Sequence, residues 1–211
     1  KRVGFADMLY DAVNAFVCPP HGALTDAIAS QHGYDATRIL SQRHENATLW
    51  VQEAGSQVHI QSGSGTCQGD GIAGKAFLAT YHKQIDSVQH VSSGIPGCSL
   101  MAVDPISREQ VDISLTTYAD DIRKVVLCST VAELEERGAA LDLAVDTTAA
   151  RYGGAMNHDK KQIMVGFAGK GQRAQPMHAY LRGVRLPGTV TRTPKYLGAR
   201  TSASGAAATE K

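Results

Sequence analysis

The sequence lacks the marks by which a chain announces an oxidising compartment, a membrane or a structural metal. Its four cysteines, Cys18, Cys67, Cys98 and Cys128, stand far apart with no C-x-x-C pair. That spacing suits reduced thiols in an intracellular protein better than a disulfide frame or a zinc site. No apolar run approaches membrane-spanning length and no signal peptide opens the chain. The one glycosylation triplet, Asn46-Ala47-Thr48, has no secretory context and is discounted. Charge is also missing as a signal: 21 basic residues face 20 acidic ones. Any surface for a polyanion must therefore be a local patch. There is no internal repeat. Because the chain opens at Lys1 within a few residues of an apparent strand, it reads as a fragment.

What is present is 211 residues with 43% hydrophobic content, enough for one good-sized core or one domain with an appendage. Val3 to Ala12 reads as a strand whose C-terminal end carries Asp11, before a Pro19-Pro20 stop. Gly22 to Gln31 has helical spacing through Leu24, Ala27 and Ile28, with Gly33 placed as a cap. Thr48 to Gln52 and Gln57 to Gln61 flank Glu53-Ala54-Gly55-Ser56, a hairpin signal. A glycine-dense loop, Ser62 to Gly71, leads into a helix from about Ile72 to Ile85, and a loop of that kind can offer backbone amides to an anion. An irregular segment runs through Pro105.

Val111 to Thr116 then alternates as a half-buried strand, and Ile122 to Cys128 resumes as a β-branched one. From Val131 to Tyr152, Leu134, Leu141, Val145 and Tyr152 form the buried stripe of an amphipathic helix, with Glu133, Glu135, Glu136 and Arg137 as a solubilising face. Gln162 to Phe167 reads as a strand, Tyr180 to Leu186 and Thr191 to Leu197 as a last strand pair, and Ser202 to Lys211 as a frayed tail. The order predicts an α+β domain, an antiparallel sheet with helices packed on one face.

Between the central strands lies Thr117-Tyr118-Ala119-Asp120-Asp121, a hairpin tip with adjacent carboxylates. Two ionised carboxylates side by side repel, and a divalent cation would convert that repulsion into coordination. The plain alternative is a solvated turn, which Asp favours through local hydrogen bonds. With Asp11 on a neighbouring strand, the same acids could hold two Mg²⁺ ions that activate a hydroxyl and stabilise a leaving pyrophosphate.

These residues resemble, in order, the five palm motifs of reverse transcriptases. Tyr10-Asp11-Ala12-Val13-Asn14-Ala15-Phe16 is similar to the first. Gln68-Gly69-Asp70 with Phe77 is similar to the second, and Tyr118-Ala119-Asp120-Asp121 to the third. Asn157-His158-Asp159-Lys160 and Tyr196-Leu197-Gly198 match the fourth and fifth and favour the non-LTR retrotransposon branch.

The resemblance implies a polymerase palm over residues 1–201, a flexible tail over 202–211, and RNA-directed DNA polymerase activity. It implies that Asp11 and Asp120 ligate two Mg²⁺ ions, Mn²⁺ substituting, with Asp121 in support. Lys160 would stabilise or protonate the leaving pyrophosphate. Ala12, Phe16, Gln68 and Gly69 would line the nucleotide pocket, Phe16 excluding a 2′-hydroxyl. Tyr118 and Tyr196, Leu197 and Gly198 would contact the primer. An RNA template, a DNA primer and a dNTP are the implied partners, with nuclear residence if the element is eukaryotic.

The sequence departs from the family where Gly71, Ala73 and Gly74 replace a proline-rigid turn and Lys161 replaces a usual Thr. Fingers, thumb and endonuclease are expected elsewhere in a longer polyprotein. Two rivals stand beside this reading. Gly69 to Lys75 fits the P-loop spacing G-x-x-x-x-G-K, but Ala76 replaces its hydroxyl residue. A palm that binds nucleic acid without chemistry is the other.

Overall fold

The computed structural model describes residues 3–15, 18–30, 32–45, 47–53, 55–66, 73–168, 185–196 and 199–200. The chain forms two compact units. The described residues of the first lie within Lys1–Ala12, Val88–Thr147 and Met156–Lys211, and those of the second within Val13–Ser87 and Thr148–Ala155.

The first unit is built on β1 (Val3–Tyr10), a nearly unbroken apolar run that suits a strand covered on both faces. It pairs antiparallel with β7 (Asp121–Cys128) on one side and β8 (Gln162–Ala168) on the other. With β6 (Leu115–Tyr118) beyond β7, and β9 (Thr189–Val190) running parallel to β8, the sheet order is β6-β7-β1-β8-β9. The expected antiparallel-dominated α+β sheet is present. The parallel alternation that a P-loop fold needs is not its pattern.

Register decides which side chains meet. Met8 lies opposite Lys124 and Ile163, Ala6 opposite Val126 and Val165, and Tyr10 opposite Ile122, all buried. This face is covered by α4 (Val131–Arg151), whose Leu134, Leu141 and Val145 are fully buried. Thr130 and Glu133 start that helix in the manner of a capping box. The Thr130 Oγ1 accepts from the Glu133 amide at 3.2 Å and Glu133 Oε2 accepts from the Ser129 amide at 2.8 Å. Arg137 donates to the Leu127 carbonyl at 2.7 Å, and Glu135 accepts from the Arg185 amide at 2.9 Å. The face expected to be merely solubilising thus caps the helix and ties it to the sheet.

One polar residue interrupts the buried stripe of β7. Lys124 is wholly buried and donates to Ser114 Oγ at 2.7 Å and Gln89 Oε1 at 3.2 Å, with Asp112 Oδ2 at 4.0 Å. Gln89 comes from the last turns of α3 (Ala73–Ser93). Burial acts upward on the Asp112 carboxyl. The hydrogen bonds from Ser114 and Leu100 and the Lys124 charge together outweigh it and bring the carboxyl down to about 2. A depressed carboxylate stabilises the fold above its unfolded value of 3.8 and loses that contribution as pH falls toward 2. Asp112→Asn is therefore expected to cost at least about 2 kcal/mol at pH 6, with the difference from wild type closing near pH 2. Urea titrations across that range measure it.

Asp112 also explains a departure from the expected strand over 111–116. Its Oδ1 accepts from the Ser114 amide at 2.9 Å, a local turn that breaks the run. The chain instead forms β5 (Gln110–Asp112), paired with β4 (Met101–Val103), before β6 begins. The last strands differ as well. β9 joins the main sheet, and β10 (Lys195–Tyr196) pairs with β11 (Ala199–Arg200), while residues 180–184 lie outside the described set. So does the expected tail.

In the second unit, α1 (His21–Ala29) and the start of α3 gather Leu24, Ile28 and Ala76 into a small core, and α2 (Tyr34–Glu45) follows α1. The cap of α1 is Ser30 rather than Gly33, whose carbonyl instead accepts from the Thr37 amide at 3.0 Å at the start of α2. The hairpin β2 (Thr48–Glu53) and β3 (Ser56–Gln61) forms as expected, with Trp50 opposite His59. Cys18, Cys98 and Cys128 are free thiols; burial pushes Cys98 and Cys128 up to about 11. Among the described residues no helix is long and apolar enough to cross a membrane.

Candidate active site

Strand alternation sets the site. Tyr10 and Ile122 pair on the helix-covered face, so Asp11 and Asp121, each one residue along, fall on the opposite face at the same end of the β1–β7 pair. β6 and β7 turn through Ala119 and Asp120, with Tyr118 opposite Asp121. Ala119 takes φ +50°, a left-handed conformation that costs a non-glycine residue about 1 kcal/mol. Tyr118 is exposed.

A second segment approaches from the other side. The Asp11 carbonyl accepts from the Asn157 amide at 2.8 Å, and Ala12 forms a bridge with Met156. The turn that follows is closed by the Lys160 amide donating to the Asn157 carbonyl at 3.2 Å. This carries Lys160 to the acids: its Nζ lies 3.0 Å from Asp11 Oδ2, with the side chain 65% exposed.

The electrostatics follow from that gathering. Burial pushes the Asp121 carboxyl up, Asp120 and Asp11 add to the rise, and Lys160 opposes it. Lys160 is itself pushed up by its hydrogen bond to Asp11 and the Asp11 charge, with smaller help from Asp120 and Asp121. Asp121 and Lys160 thus each respond to the charges gathered there. Three carboxylates brought to one strand end are a donor set of the hard-oxygen kind that suits Mg²⁺ or Mn²⁺. In the present side-chain positions no three His, Cys, Asp or Glu groups among the described residues form a ready cage.

Lys161 goes the opposite way from Lys160. It is buried, ion-paired to Asp142, 3.7 Å from Asp146 Oδ2, 3.2 Å from His158 Nδ1, and 5.2 Å from the Tyr10 ring centre. Burial, then Asp142 and Asp146, push the Tyr10 hydroxyl well up. This cluster anchors the Lys160 turn to α4.

Sequence reasoning missed that anchor, and it missed Asp7. Asp7 is buried, and both its oxygens accept from Arg123 Nε at 2.8 Å while Arg123 Nη2 lies 2.7 Å from Oδ2. Asp7 sits four residues before Asp11 on the same strand face, which period-two alternation alone would have revealed.

Asp11, Asp120, Asp121, Lys160, Ala12 and Tyr118 are thus brought to one region of the first unit. The Tyr196 backbone lies in β10, paired with Ala199. Phe16, Gln68, Gly69, Leu197 and Gly198 fall outside the described residues.

No family model and no curated protein matches the chain. Solved structures do. Apo telomerase from Candida tropicalis, truncated of its C-terminal domain, superposes with a TM-score of 0.58 at 13% identity, over 98% of this chain and 36% of that one. Telomerase of the same organism, solved with a TWJ fragment of telomeric RNA, gives 0.58 at 12% identity, over 97% and 29%. Its apo form gives 0.54 at 10% identity, over 97% and 32%. The chain spans about a third of the length of these structures, and the likeness is one of fold alone.

Proposed function

We propose that residues 1–201 form a reverse-transcriptase-like palm whose acids support RNA-directed DNA synthesis from a primer 3′ end. One observation carries the reading: Asp11 and the Asp120-Asp121 tip converge at one end of an antiparallel strand pair, with Lys160 in contact. A fold alone gains nothing from that arrangement, since the carboxylates oppose each other's ionisation. The telomerase-like fold is compatible with it. The Asn157-x-x-Lys160 and Tyr196-Leu197-Gly198 elements favour the non-LTR branch.

In this reading Asp11 and Asp120 hold two Mg²⁺ ions, with Asp121 in support. When bound, the ions favour deprotonation of the primer hydroxyl and neutralise the departing pyrophosphate. Lys160 places a positive charge and a transferable proton beside the acids. Phe16, Gln68 and Gly69 would shape the nucleotide pocket, and Tyr118 and Tyr196 to Gly198 the primer side. The RNA template, DNA primer and dNTP are its proposed partners.

The second reading, a palm that binds nucleic acid without chemistry, draws on Lys160 already occupying an Asp11 oxygen. Mg²⁺- or Mn²⁺-dependent primer extension on an RNA template decides between them, comparing the chain with Asp120→Ala, alone and joined to a fingers segment from a related element. Extension abolished by the substitution supports the polymerase. Absence of extension in both settings, with the fold intact and the related element active, supports the binding module.

A further inference from the structure

Resting on the proposed metal site, we propose that Lys160 is a built-in, displaceable countercharge: it neutralises Asp11 until a divalent cation takes its place, and cation entry releases the ammonium. The geometry points to this in two ways. Lys160 Nζ lies 3.0 Å from Asp11 Oδ2, so one oxygen of a proposed metal ligand is already paired. Its side chain is also 65% exposed while the backbone beneath it is fixed.

The fixed part comes from the Asn157 amide bonded to the Asp11 carbonyl, and from the neighbouring Lys161 buried among Asp142, Asp146 and His158. An exposed side chain on a hydrogen-bonded turn can leave Asp11 without unfolding anything.

Competition follows directly. A cation that takes Asp11 Oδ2 must break the lysine contact, so the lysine weakens cation binding in the absence of nucleic acid. Any ammonium this close to the acids weakens cation binding; what marks displacement is that the ammonium is released when the cation enters. A partly exposed ion pair is worth little, which bounds the effect at about threefold to fivefold in affinity.

The test is Mn²⁺ binding to the protein without nucleotide or primer, followed by loss of the free-ion electron paramagnetic resonance signal. Lys160→Ala and Lys160→Met are expected to bind Mn²⁺ about threefold to fivefold more tightly than wild type, and Lys160→Arg about equally. Asp11→Asn is the control for the site. In parallel, reductive methylation mapped by mass spectrometry should show Lys160 reacting faster when Mg²⁺ is added, with no such change in Asp11→Asn.

Unchanged or weaker binding in Lys160→Ala, with wild-type binding lost in Asp11→Asn, overturns the countercharge while leaving the metal site standing. Unchanged Lys160 reactivity on adding saturating Mg²⁺ does the same. No saturable binding by wild type or by either neutral variant overturns the metal site and the countercharge together.

Discussion

Lys161→Ala is expected to destabilise the protein by about 3 kcal/mol, lowering the melting temperature by roughly 10 °C. The reason is what the lysine would leave behind. Its ammonium faces Asp142 and Asp146 from α4 and His158 from its own turn. Removing one partner of a buried ion pair strands the other in a medium that penalises charge. Burial already pushes the Asp142 carboxyl up, with Lys161 pulling against it, so loss of the lysine leaves burial and Asp146 opposed only by the smaller influence of His158. Because both acids retain some exposure, the cost belongs at the lower end of the range for such pairs.

Packing adds to the electrostatic loss. The Lys161 stem lies under Gly188, where an added Cβ would come within 3.0 Å of the lysine Cγ, and the Lys161 carbonyl accepts from the Thr189 amide at 3.0 Å. The β9 strap is closed over this side chain. Lys161→Met keeps the stem, and in Lys161→Met/Asp142→Asn most of the lost stability should return. Chemical denaturation of wild type, Lys161→Met, Asp142→Asn and the double variant as a double-mutant cycle measures the coupling. A double variant no more stable than Lys161→Met alone would show that packing, not charge, carries the cost.

The contrast between Lys160 and Lys161 also marks what was legible in the sequence. Strands β1, β7 and β8, the hairpin β2–β3 and helix α4 could be read because their apolar residues recur at periods of 2 or 3.6. The acids could be read because adjacent carboxylates at a hairpin tip have a chemical cost. Two adjacent lysines carry no such distinction. Which one turns inward depends on the register of β8 against β1 and on where α4 places Asp142 and Asp146, and that information is not local. Lys124 was invisible for the same reason: it sits in a β-branched run, and only Asp112 and Ser114 from one turn and Gln89 from α3 make its burial tolerable. The break at Ile113-Ser114 was in principle readable, since Asp two residues before a Ser is a turn signal, but the alternating pattern outweighed it. Helix α2 went unread because it buries little: its Tyr34 and Ile39 are exposed, so no apolar stripe marks it.

The acid cluster should respond to substitution in the opposite sense from Lys161. Asp121→Asn is expected to raise stability at pH 7 and, on the polymerase reading, to lower primer extension about 10- to 100-fold. The sign follows from proton linkage. The folded protein holds the Asp121 proton more tightly than the unfolded chain does, because burial and then Asp120 and Asp11 disfavour its charge. Such a group favours the fold where it is protonated, and that advantage is lost as pH rises from 3.8 through its raised value. At pH 7 the ionised carboxylate is a net liability, and asparagine removes it without changing shape. At pH 3 both side chains are neutral and the two proteins should melt alike.

The same repulsion is what a cation would relieve, so cation binding should strengthen as pH rises through the range in which Asp121 ionises. Melting curves at pH 7 and pH 3, paired with extension assays on the same preparations, separate the roles. Stability gained with activity lost identifies an acid kept for chemistry at the expense of the fold. Stability lost at pH 7 would mean that Asp121 is a structural turn residue, and would remove the electrostatic argument on which the polymerase reading stands.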